Sequence, residues 1–130
     1  MILKKMVILM AVALLCSCSV VNEEKAQKRV NHVVLCWLKD AGNEAQRQKL
    51  IETSLKFKEI PGVLEVRAGE VVKSDRPIVD SSFDVAIFLS YDSVGEMNAY
   101  IIHPDHKKAV QEVLKPLVKK VLVYDFIETP

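Results

Sequence analysis

NHVVLCWLK, residues 31–39, is apolar on both of its alternating sets: Val33, Leu35 and Trp37 on one side of an extended chain, Val34, Cys36 and Leu38 on the other. Strand side chains point alternately to two faces, so a strand of this kind needs cover on both. A second stretch of the same character, KKVLVYDFIE (119–128), closes the chain. These two strands state the fold problem, which is what lies over each face of the sheet they belong to.

The residues between them supply half of the answer. Gly42 and Asn43 break the apolar run, and Asn43 followed three residues later by Gln46 is a helix-start signature. The helix is expected to run to about Glu59, with Leu50, Ile51, Leu55 and Phe57 inward and Arg47, Lys49, Glu52 and Lys56 in water, until Pro61-Gly62 ends it. VLEVRAGEVVK (63–73) reads as a strand with a bend or bulge at Gly69, SDRPIVDSS (74–82) as a polar loop, and FDVAIFLSY (83–91) as an alternating strand. Ser93 with Glu96 opens a second helix bearing Val94, Met97, Tyr100 and Ile101. Pro104 closes that helix and starts a third, which carries Ala109, Val110, Val113 and Leu114 and is expected to stop at Pro116.

The order β-α-β-β-α-β predicts an α+β fold of the ferredoxin-like kind, a four-stranded antiparallel sheet with its helices on one face. The doubly apolar strands then require a cover for the other face. A second copy is the simplest supplier, so the expected assembly is a homodimer packed sheet to sheet.

Composition fits one domain. Half of the 130 residues are hydrophobic, 27% are charged, and 18 basic residues face 17 acidic ones, which excludes both a disordered chain and an evident polyanion binder. No basic stripe interleaved with aromatics is present, so no nucleic-acid partner is expected. Three cysteines, Cys16, Cys18 and Cys36, cannot build a framework of several bridges, and Cys36 reads as a small buried hydrophobe.

The start of the chain reads separately. Lys4 and Lys5 precede an apolar run from Met6 to Leu15, shorter than the roughly 20 residues a spanning helix needs and suited to an export signal. Leu15, Cys16, Ser17 and Cys18 resemble a lipobox with Cys18 as the lipid-carrying residue, an ordinary secretory signal being the alternative. The expected organisation is therefore a signal peptide at 1–17, a lipid-anchored tether at 18–29 and a domain at 30–128. Loss of 1–17 removes Lys4 and Lys5 and no acid, taking the formal charge from +1 to −1. The expected location is the bacterial cell envelope, on a membrane and facing away from the cytoplasm.

Histidine is scarce, yet two of the three sit in YIIHPDHKKA (100–109). Pro104 disfavours helical geometry at His103, so His103 ends one helix and His106 falls in the first turn of the next. Unpaired backbone donors there favour a neutral imidazole, the form able to take a proton, which makes His106 a candidate general base. The plainer readings are a surface or capping histidine at 106 and a core aromatic at Tyr100. His103 and His106 alone fall short of the three or four ligands of a zinc site, so no metal or other cofactor is expected.

Asn-His-Val-Val at 31–34, YIIHPDHKKAV at 100–110 and the closing KVLVYDFIE together resemble the stress-responsive dimeric α/β-barrel (Dabb) domain family, over about residues 29 to 128. Within that family the chain also resembles plant polyketide cyclases of the olivetolic acid cyclase type, the likeness being strongest around YIIHPDH. The resemblance implies a ferredoxin-like monomer whose sheet pairs with a mate, and a catalytic set at His32, Tyr100 and His106 with His103 in support of the pocket. It further implies a small apolar or carbonyl-bearing ligand and acid–base, cyclase- or lyase-like chemistry. The family also contains members without a known reaction. A noncatalytic ligand-binding or envelope stress-tolerance module is therefore the alternative, and an open cavity reached by His106 is what separates the two.

Overall fold

The computed structural model of the chain describes residues 28–129. The expected signal segment, Cys18 and the tether before Lys28 lie outside them.

β1 (Val30–Leu38) occupies the middle of a four-stranded sheet of order β2-β3-β1-β4. β3 (Val85–Tyr91) pairs with it on one side and β4 (Val118–Ile127) on the other; β2 (Glu65–Glu70) lies beyond β3, and every pairing is antiparallel. This is the ferredoxin-like arrangement expected from the element order.

The register assigns each apolar set to a face. Val30, Val34, Cys36 and Leu38 of β1 join Val85, Ile87, Leu89 and Tyr91 of β3 in the core, under Leu50, Phe57, Met97 and Tyr100 of the helical layer. The opposite face carries the rows Phe88–Val33–Tyr124 and Ala86–Leu35–Leu122. Tyr124 and Phe126 on that side are half exposed. One face of the sheet is thus covered by the chain itself, and the other is not.

α1 (Glu44–Leu55) starts where Asn43 accepts a hydrogen bond from the Gln46 amide at 3.0 Å, and a 3-10 turn (Lys56–Glu59) continues it. Its inward stripe is Leu50, Ser54 and Phe57, the i, i+4, i+7 set, so Leu55 projects outward at 45% exposure instead of joining the core. Arg47 is likewise not free in water, because it lies one turn before Leu50 and pairs with Glu70 at 3.5 Å. Gly62 (φ +86°) then turns the chain against the first turn of the next helix, where a side chain would strike Glu96.

No bulge occurs at Gly69, which stays in register opposite Ala86. The irregularity sits between Trp37 and Leu38, whose partners on β4 are Lys120 and Val118, so Lys119 is the extra residue. Asp84 locks the end of β1 by accepting the Leu38 amide at 2.9 Å and the Gly42 amide at 2.8 Å.

α2 (Val94–Ile102) is capped by Ser93, whose hydroxyl accepts from the Glu96 amide at 3.1 Å. α3 (Pro104–Ala109) follows after His103. The helical path does not stop at Pro116: it widens into a π-helical turn (Val110–Leu114) and finishes as α4 (Lys115–Leu117). A proline removes one backbone donor and crowds the preceding turn, and a wider turn just before it relieves that crowding.

Candidate active site

Because β4 is an edge strand, the helical layer covers β1 and β3 fully and β4 incompletely. Val121 and Val123, on the helix-side face of β4, remain 45% and 42% exposed. The result is a cavity of about 390 Å³ between sheet and helices. Its walls are largely aliphatic, from Val34, Ile87 and Leu89 below to Val110 and Leu114 above, and its polar groups are His32, Tyr100, His106 and Asp125. The three residues singled out in the sequence therefore share one space.

His32 enters from β1, opposite Leu89 on one neighbour and Asp125 on the other. Its Nδ1 lies 2.5 Å from Asp125 Oδ1. A carboxylate accepts, so Nδ1 donates the proton and Nε2 is the nitrogen left for the cavity. The partner that holds this ring is on the adjacent strand and not in the helical layer.

Tyr100 comes down from α2 and is 2% exposed. Its ring centroid stands 4.4 Å from that of His106, 6.1 Å from His32 and 5.4 Å from Tyr91. Burial pushes its hydroxyl well above the ordinary phenol range, so it stays protonated and serves as a hydrogen-bond donor, not a base.

His106 sits on α3 with Nδ1 2.9 Å from the Ile101 carbonyl oxygen. A carbonyl only accepts, so Nδ1 carries the proton and Nε2 holds the lone pair. Burial lowers the pKa of this ring most; the Ile101 hydrogen bond raises it, and His32 and His103 lower it further. Burial therefore favours the neutral state expected from the sequence, with desolvation and not the field of a helix start as the leading cause. α3 is a six-residue segment, and the Ile101 carbonyl it leans on belongs to the helix before.

His103 does not line the cavity. Its backbone is extended (φ −61°, ψ 138°), and its Nδ1 accepts from the Asp105 amide at 3.2 Å, capping α3. That cap orients the turn from which His106 projects.

Sequence reasoning missed three contributors. Asp125 is a single acid inside an apolar closing strand, and only the register shows that it faces His32. Phe57 looked like one more apolar residue of α1, but the 3-10 turn sets its ring against Tyr100 and His106, at 5.6 and 5.5 Å. Tyr91 ends β3 as a fully buried ring beside Tyr100. Across Phe57 lies a separate groove of about 430 Å³, where Lys49, Lys56 and Lys108 alternate with Glu59, Asp105 and Glu112. Its mixed charge and open position set it apart from the histidine cavity.

Residues 30–128 match the family described as the Stress responsive A/B Barrel Domain (Dabb), and the chain belongs to that family. No curated protein matches the sequence. Among solved structures, a Dabb family protein with a ferredoxin-like fold from Mesorhizobium loti is 22% identical, with TM-score 0.65 over 80% of this chain and 100% of its own. A dimeric ferredoxin-like protein of unknown function from Thermobifida fusca is 21% identical, with TM-score 0.63 over 79% and 93%. A hydroxynitrile lyase from Passiflora edulis is 19% identical, with TM-score 0.68 over 79% and 95%. At these identities the likeness is one of fold.

Proposed function

We propose that this chain binds a small, mainly apolar carbonyl compound between its sheet and helices and transfers protons on it. The observation that carries the reading is the convergence of two imidazoles and a phenol on one aliphatic cavity, each imidazole with its Nδ1 already engaged.

In this reading His106 Nε2 removes a proton from a carbon next to a carbonyl, and the electron pair moves onto the carbonyl oxygen. Tyr100 donates to that oxygen as its charge develops, and His32 does so in the form that carries a second proton at Nε2, its Nδ1 proton being held by Asp125. When the carbanion adds to a second carbonyl, a carbon–carbon bond forms and the new alkoxide takes the proton held on His106. The reverse order of steps cleaves such a bond, so cyclase-like and lyase-like outcomes use the same groups. Asp125 keeps His32 in one tautomer throughout. A noncatalytic carrier is the second reading, favoured by the largely aliphatic wall.

The test is a mass-spectrometric search for small molecules retained by the purified protein. A carbonyl-bearing compound that is retained by wild type, lost in Tyr100→Phe and converted on incubation supports the enzyme. The same compound retained unchanged supports the carrier, and a protein purified empty that binds no carbonyl compound refutes both.

The assembly in this reading is a sheet-to-sheet homodimer, supported by the uncovered rows through Val33 and Leu35 and by a neighbour of this fold described as dimeric. The protein is further proposed to be held on the bacterial envelope membrane through lipidated Cys18, on the sequence pattern alone. Detergent-phase partition of wild type against Cys18→Ala is expected to move the variant into the aqueous phase; equal partition of the two would reject the anchor.

A further inference from the structure

We infer that the ligand of this site carries a carboxylate, which Lys115 and Lys119 receive in a recess that adjoins the histidine cavity along β4. This rests on the reading proposed above, in which a carbonyl compound lies between sheet and helices, and it adds the charge that compound bears.

The cleft between β4 and the helical path does not end with the histidine cavity. A smaller recess of about 160 Å³ follows it, and Val110 and Leu114 from the π-helical turn and Val121 from β4 line both spaces. Because the shared residues come from both banks, the two are successive stretches of one cleft. The groove across Phe57 differs, since there a single ring stands between two spaces. Polarity changes along the cleft. The cavity holds the imidazoles, the phenol and Asp125, whereas the recess adds Lys115, Lys119 and Lys120 and, among the described residues, no acid.

Lys120 is already engaged, its ammonium lying 4.2 Å over the Trp37 ring on the other face of the sheet. Lys115 and Lys119 are exposed, and neither forms an ion pair among the described residues. Lys115 Nζ donates to the Gln111 side-chain oxygen at 3.0 Å, a neutral partner that steadies the ammonium and leaves its charge unanswered. A lysine near a helix end also complements the helix dipole, but Lys39, which donates to the Lys115 carbonyl at 2.8 Å, serves that end already. The bulge explains how Lys119 comes to the recess. In an unbroken ladder the residue before Lys120 would fall opposite Leu38, which is fully buried. The skipped position gives that place to Val118 and sets Lys119 outside the core, at the recess.

Two unanswered ammoniums at the end of an aliphatic cleft match an anionic end group on an apolar ligand. The recess is well below the size of an ordinary small-molecule pocket, so it suits a compact carboxylate and not a nucleotide-bearing thioester. At about 3.3 Å per residue, Lys119 stands roughly 20 Å along β4 from Asp125, a span that the lysine stem shortens. The ligand is therefore an aliphatic chain with its carbonyl at one end and its carboxylate at the other.

The experiment is a calorimetric titration of the full chain with a ten-carbon acid ending in a methyl ketone, and with its neutral methyl ester. Wild type is compared with Lys115→Gln/Lys119→Gln, with Lys49→Gln/Lys56→Gln in the separate groove, and with Tyr100→Phe. The inference predicts that wild type binds the acid about fivefold more tightly than the ester, as two exposed ion pairs allow, and that added salt shrinks the difference. Loss of Lys115 and Lys119 should bring the acid down to the ester and leave the ester unmoved, while loss of Lys49 and Lys56 leaves both unmoved. Tyr100→Phe should weaken both compounds, and that arm tests the site reading separately. Equal binding of acid and ester by wild type overturns the inference while the site reading stands. So does a preference that survives loss of Lys115 and Lys119, or one that disappears equally with Lys49 and Lys56, since overall charge would then be its cause. Binding of neither compound overturns the inference together with the reading beneath it.

Discussion

His106 shows how much one carbonyl contact decides. With the Nδ1 proton directed at Ile101, the ring can take a second proton only at Nε2, which makes it a base with one working atom. Once a substrate is identified, His106→Gln is expected to lower turnover about 10²- to 10⁴-fold while leaving binding nearly intact. Its pH behaviour has a definite sign. The folded ring protonates below the ordinary histidine value of 6.5, so turnover should climb with pH in the window beneath 6.5 and stay flat through neutrality. Stability follows the same direction: beneath 6.5 the unfolded chain binds this proton more readily, so the contribution is complete above 6.5 and is lost as pH falls to the folded value. An unfolding-temperature profile of wild type against His106→Gln measures the difference. At this scale the residue types of the site were legible, because scarce histidines beside a proline stand out. Asp125 was not, since its role comes from a cross-strand pair that one strand cannot reveal.

The helices carry Tyr100 and His106, and their starting residues were plain in the sequence. Asn43 and Ser93 both cap as expected, and Ser93 heads the nine-residue helix that delivers Tyr100. Ser93→Ala is expected to cost about 1 kcal/mol in chemical denaturation. Ligand retention should survive that change, because the cap lies outside the cavity wall. Where the elements stop was harder to read. Pro116 looked like a terminator, yet a π-helical turn before it lets the helical path continue to Leu117. Leu55 looked like core, but the count of 3.6 residues per turn from Leu50 brings Ser54 and Phe57 inward instead. Gly69 looked like a bend or bulge, whereas it stays in register and the skipped residue is Lys119, and register defects depend on two strands at once.

The whole molecule was legible from its two doubly apolar strands, which demanded cover on both faces before any contact was known. The helical layer meets that demand on one side and leaves Phe88, Val33 and Tyr124 in a row on the other. Sedimentation at micromolar concentration is expected to show a dimer for wild type and a monomer for Phe88→Glu. The monomeric variant should still retain ligand, at an affinity reduced only by what pairing lends through β4, since Phe88 is not part of the cavity wall. A wild-type monomer would remove the second copy as the cover of that face. What the sequence left open was the incomplete roof over β4, which arises because that strand falls at the sheet edge, a property of strand order that no single segment encodes.

β4 also serves two masters. Val121 and Val123 line the small-molecule cavity, while Leu122 and Tyr124, interleaved with them, belong to the outer rows of the sheet. A guest that straightens or tilts this strand must alter how the outer rows meet a mate, and a mate that clamps those rows must alter the fit of the guest. Reciprocity then requires that whatever factor pairing lends to guest affinity, the guest returns to pairing. In the proposed assembly, occupancy and self-association are therefore two readings of the position of one ribbon.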